Sequence, residues 1–131
     1  MNKKYFVRQG AGPLLTPDQM PCEANAVLNP GVAELDGEVI LLLRIESKDG
    51  ISNIRVARSR NGVDSWRYDE EPILKPGVPG FPYEEWGCED ARVTKVDENE
   101  WAIAYTAYSS HGPTIAYATT TDFQQADLGP C

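Results

Sequence analysis

The sequence predicts an all-β protein on three observations. Apolar residues recur in strand-length runs, and no segment holds a helical period. Ten prolines and eleven glycines punctuate those runs, most densely in LKPGVPGFPYEEWG at 74–87. The second half of the chain also repeats the first. A constant shift of about 61 residues, without a gap, lays Val32 on Val93, Leu35 on Val96, Asp36 on Asp97, Ile54 on Ile115 and Ala57 on Ala118.

The elements follow in order. A short strand is expected at 32–35, then a tight Asp36-Gly37 turn, then a long apolar strand at 39–45; together they form a hairpin. SNIRVARS (52–59) reads as a third strand ending in the turn RNG, and SWRY (65–68) or PIL (72–74) as a fourth. The second copy runs through ARVTKVDENEWAIAYTAY, the polar turn SSHGP and TIAYATTTDF, and is expected to stop at DFQQADLGPC before a fourth strand. Tandem four-stranded antiparallel units are the pattern of β-propeller blades. The expectation is one partial propeller over 1–131, with blade 1 at about 24–75 and blade 2 at about 88–123. A β-sandwich of seven or eight strands is the alternative the strand count allows. Two blades cannot close a ring, so the chain reads as incomplete.

Composition bounds the function. A chain of 131 residues with 41% hydrophobic content suits one small domain with a real core. The formal charge of -8, with no Lys/Arg cluster, argues against nucleic acid and against an anionic membrane surface. Lys3 and Lys4 are not followed by an apolar segment, and no apolar run is long enough to span a bilayer, so a cytoplasmic protein is expected. Cys22, Cys88 and Cys131 are widely spaced, with a single His111, which argues against a disulfide framework or a zinc site.

WGCEDAR (86–92) places Glu89 and Asp90 side by side at the mouth of a strand, with Arg92 close behind. Such a cluster is either a solvated, turn-capping loop or a site of proton chemistry. ANAVLNPG, LLLRIES, ISNIRVARSRNG, WGCEDARV and YTAYSSHGPTIAYATTTDF, in that order, resemble the amino-terminal part of glycoside hydrolase family 130. That family comprises the β-mannoside phosphorylases and related hydrolases, built on a five-bladed β-propeller. The likeness runs from about Leu14 to Phe123 and covers less than half of a typical member.

The resemblance implies an inverting reaction with Asp90 as general acid, its proton relayed through a sugar hydroxyl in the phosphorylases. Inorganic phosphate then attacks where an ordinary inverting glycosidase activates water with a second carboxylate. It implies a mannose-containing oligosaccharide as partner, phosphate as possible co-substrate and no other cofactor. Asn25 matches a family asparagine that contacts sugar. Arg44, on an inner strand of the first blade, matches an arginine that meets phosphate or sugar oxygens; the plain alternative is a rim salt bridge with Glu46 or Asp49. Burial and the neighbouring Glu89 are expected to raise the Asp90 pKa, with Arg92 pulling the other way. Arg92 otherwise reads as a tether for its loop, and His111 as a turn residue or a channel-facing imidazole for phosphate. Trp66, Trp86 and Trp101 read as blade packing. Ala91 departs from the family's proline and frees the loop's φ. The later blades supply the remaining basic groups that hold phosphate in the phosphorylases and the second carboxylate in the hydrolases. The alternative function is therefore a non-catalytic, truncated propeller module that self-associates as a homo-oligomer through its exposed edge and binds carbohydrate at most weakly.

Overall fold

A computed structural model describes residues 5–130; Lys3, Lys4 and Cys131 lie outside the described residues. The chain forms two antiparallel meanders. In the first, β1 (Ala26–Leu35), β2 (Glu38–Glu46), β3 (Ser52–Ser59) and β4 (Arg67–Tyr68) pair in sequence. In the second, β5 (Gly87–Asp97), β6 (Glu100–Ser109), β7 (Gly112–Thr120) and β8 (Asp127–Leu128) do the same. These are two blades of a propeller whose ring is not closed. Two single-turn 3-10 helices, Pro17–Gln19 and Pro82–Glu84, complete the described elements, and none of the helices is long and apolar enough to cross a membrane.

Three expectations change. The first strand begins at Ala26 rather than Val32, because a register shift between Leu28 and Gly31 accommodates Asn29 and Pro30 within it. Proline has no N–H for the ladder, and a bulge is where a strand tolerates it. The second copy does not stop short, since β8 pairs with β7 as a fourth strand. PIL contributes only an isolated bridge between Leu74 and Ile54. The repeat also carries a compensated offset. Ser52 corresponds to Pro113, 61 positions on, but Glu46 corresponds to Tyr108, 62 on, because β5 carries one extra residue at a second register shift between Lys95 and Asp97 and one is missing at the β6–β7 turn.

Alternation along β2 explains the packing. Ile40 and Leu42 face the second blade and join Ile54, Val56, Trp101, Ile103, Tyr105 and Phe123 in the core between the blades. Leu41, Leu43 and Ile45 face the other way, where Leu15, Met20, Cys22 and Ala24 of the amino-terminal segment cover them. The first strands of the two blades converge. A Cβ on Gly31 would stand 2.7 Å from the Ala91 carbonyl oxygen, so only glycine permits the approach. A parallel bridge from Ser52 to Gly87 joins the blades beside it.

Candidate active site

The alternation that buries Ile40 and Leu42 continues to Arg44 and Glu46, which form the polar end of the same β2 face. Arg44 thus sits one strand out from β1, with its guanidinium aimed across the blade interface at β5. Its Nε donates to Ser52 Oγ at 3.0 Å, one NH group to Asp90 Oδ1 at 3.1 Å, and the other lies 3.1 Å from Glu89 Oε1 and 3.8 Å from Glu46 Oε2. Asp49, the other partner expected for Arg44, instead accepts hydrogen bonds from Ser47 and from the Ile51 N–H.

Asp90 owes its direction to the backbone. Between the pairs Glu89–Thr106 and Arg92–Ala104, Asp90 and Ala91 form a β-bulge, and Asp90 has φ 53°. Asn29 lies 61 residues earlier in the bulge of β1, with φ 39°. Asn and Asp are the side-chain-bearing residues that best tolerate this left-handed region, which accounts for their choice at both bulges. The bulges turn the two side chains toward each other, and Asn29 Nδ2 donates to Asp90 Oδ1 at 2.9 Å. Arg92 ties the loops together through backbone carbonyls, donating to Ala91 O at 2.9 Å and Asn29 O at 3.3 Å.

Both donors converge on one oxygen of Asp90. Burial raises its pKa, but the hydrogen bonds from Asn29 and Arg44, with the charges of Arg44 and Arg92, together outweigh burial and hold the carboxyl below its ordinary value. This reverses the expected lift. At 36% side-chain exposure the desolvation that would favour the neutral form is incomplete, and the Glu89 carboxylate is paired with Arg44 at 3.1 Å.

The remaining expected residues divide. Asn25 is exposed and donates to Glu46 Oε1 at 2.8 Å, which places it one partner removed from Arg44. His111, in the β6–β7 turn, packs its ring on Tyr83 at 5.6 Å and joins none of the hydrogen bonds around Asp90 among the described residues. Trp101 packs on Phe123 in the core, Trp66 lies against the amino-terminal cluster, and Trp86 meets Tyr108 edge-on while 43% exposed. Asn29 and Ser52 were missed. The repeat that aligned Val32 with Val93 also superimposes Asn29 on Asp90, and that was the available signal. Among the described residues no group of three or more His, Cys, Asp or Glu could hold a metal ion.

Residues 11–127 match the family model described as beta-1,4-mannooligosaccharide phosphorylase, glycoside hydrolase family 130. The β-1,2-mannobiose phosphorylase of Listeria innocua is 28% identical across 92% of this chain and 49% of its own length. The 4-O-β-D-mannosyl-D-glucose phosphorylase of Bacteroides fragilis is 42% identical over 52 residues, 40% of this chain and 13% of the relative. Among solved structures, the Listeria innocua enzyme in complex with β-1,2-mannobiose superimposes with a TM-score of 0.73 at 27% identity, over 88% of this chain and 48% of that one. A structure from work on family 130 hydrolases that target β-1,2 mannosidic linkages in Candida mannan gives 0.81 at 25% identity, over 93% and 39%. The chain thus spans about half the length of the Listeria relative.

Proposed function

The chain belongs to glycoside hydrolase family 130, and from that membership we propose that it carries the proton-donating half of an inverting β-mannoside phosphorylase or hydrolase site, with Asp90 as general acid. The observation that carries this reading is the pair of facing bulges. They spend two positive-φ residues to aim Asn29 and Asp90 at one another where the blades converge, and bulges are favoured devices for re-aiming a side chain at an active site.

In the free chain Asp90 is anionic, and an acid must first carry a proton. Phosphate, or the sugar hydroxyls of a mannoside, competes for Arg44 and covers the carboxyl. Both changes raise its pKa. Protonated Asp90 then delivers its proton to the glycosidic oxygen, directly or through a sugar hydroxyl, as the bond from that oxygen to the anomeric carbon breaks. Phosphate attacks that carbon from the opposite face, giving α-mannose 1-phosphate and the free acceptor sugar; in a hydrolase, water takes its place. Arg44 contributes donors for phosphate or sugar oxygens. Asn29, through its amide, holds the Oδ1 edge of the acid, so Oδ2 is the oxygen assigned the proton in this reading.

The test is phosphate-dependent formation of mannose 1-phosphate from β-1,2- or β-1,4-linked mannobiose. Asp90→Asn keeps a residue that accepts positive φ and should abolish turnover. A second reading, a carbohydrate-binding module without turnover, is favoured by the ion pair that keeps Asp90 charged. Sugar binding that survives Asp90→Asn, with no turnover in either protein, would select it.

A further inference from the structure

Behind the bulge lies a buried pair that the proposed chemistry does not use. β6 is regular where β5 bulges, so Asp90 and Ala91 are opposed by Tyr105 alone. Tyr105 is 3% exposed and shares the core between the blades with Ala91. Its hydroxyl donates to Glu84 Oε1, and Glu84, at the end of the Pro82–Glu84 turn, is 1% exposed. Three residues further along β6, Tyr108 O accepts from Trp86 N at 2.7 Å, so the connector is pinned to β6 on both sides of the turn into β5. A backbone bond already anchors the connector there. A carboxyl removed from water is a costly additional anchor, and an apolar side chain would pack the same space at less cost.

We propose that the Glu84–Tyr105 hydrogen bond is a strut that fixes the β5 bulge from behind, so that Glu84 and Tyr105 are positioning residues for Asp90. The inference rests on the reading of Asp90 as the carboxylate of the site. With the strut in place, the Tyr105 ring supports the two bulge residues, and the Asp90 carboxylate stays within reach of Asn29 and Arg44. Without it the bulge relaxes and both hydrogen bonds to Oδ1 weaken. Titratable groups near Glu84 are Tyr105 on β6 and Cys88 on β5, whose thiol is pushed far up by burial and by Glu84 and Glu89. Around Asp90 they are Glu89 and Arg92 on β5 and Arg44 and Glu46 on β2. The charges that act on Asp90 are those of Arg44 and Arg92, so an effect of Glu84 must travel through the bulge.

The test is the Asp90 side-chain carboxyl carbon, assigned with Asp90→Asn and titrated by NMR in the intact chain, with amide dispersion monitored to verify folding. Tyr105→Phe and Glu84→Leu remove the bond from opposite ends, and each should move the Asp90 midpoint up toward 3.8. Either variant alone suffices if the other does not fold. Glu84→Gln retains an acceptor for the Tyr105 hydroxyl and should leave the midpoint in place. An unchanged midpoint in a folded variant lacking the bond would overturn the proposal, as would an equal shift in Ile103→Val, a core change on the same strand. The readout needs no turnover, so its failure is separable from failure of the catalytic reading.

Discussion

At the residue scale the site is a contest over one carboxylate. Asp90 is held below 3.8, so the stability it contributes is fully present above that value and is lost as pH falls through its lower folded value. Asp90→Asn should therefore close part of its stability gap to the wild type as urea denaturation is moved down through that acid window. Arg44→Ala, which removes a hydrogen bond and a charge, should raise the Asp90 midpoint. Glu84 has the opposite sign. Burial raises its pKa above 4.5 while the Tyr105 bond lowers it in part, so its contribution to stability falls as pH rises from 4.5 through the higher folded value. Relative to the wild type, Glu84→Gln should gain stability over that interval, measured by the same denaturation series. Glu89, Asp90 and Arg92 were legible as a charged cluster from their spacing alone. The direction of the Asp90 shift was not, because it depends on Asn29 and Arg44, which lie 61 and 46 residues away.

At the scale of elements, the two bulges and the glycine between them set the geometry. Gly31→Ala would place a methyl 2.7 Å from a backbone oxygen and 3.1 Å from Val93 Cγ2, where the oxygen cannot swing aside. The first strands must then separate. A loss of about 1–3 kcal/mol, the usual range for overpacking, is expected in urea denaturation, together with loss of the Asn29–Asp90 contact. Strands β2, β3, β6 and β7 were readable because their apolar periods are long. The early start of β1 was hidden by Pro30, which breaks the pattern while sitting in a bulge. Two-residue β4 and β8 are too short to carry a period.

At the scale of the whole molecule the two blades are covered unequally. The amino-terminal segment covers the outer face of the first blade, whereas the second leaves Ile115 83%, Tyr117 47% and Tyr108 38% exposed. An apolar face of this kind favours association, so this 14.5 kDa chain should sediment above its monomer mass, and Ile115→Lys should reduce that tendency in light scattering. The sequence repeat announced the blades, and the ordered motifs announced the family. The Asn29–Asp90 pairing lay within the same repeat, but a linear alignment does not reveal that equivalent bulges face one another. The most direct measurement is the Asp90 carboxyl titration in the free chain and again with phosphate and mannobiose present. The midpoint should lie below 3.8 in the free chain and move upward on adding the ligands, as Arg44 is drawn away and the carboxyl is covered. A midpoint that stays in place under saturating ligand would contradict the assignment of Asp90 as the proton donor.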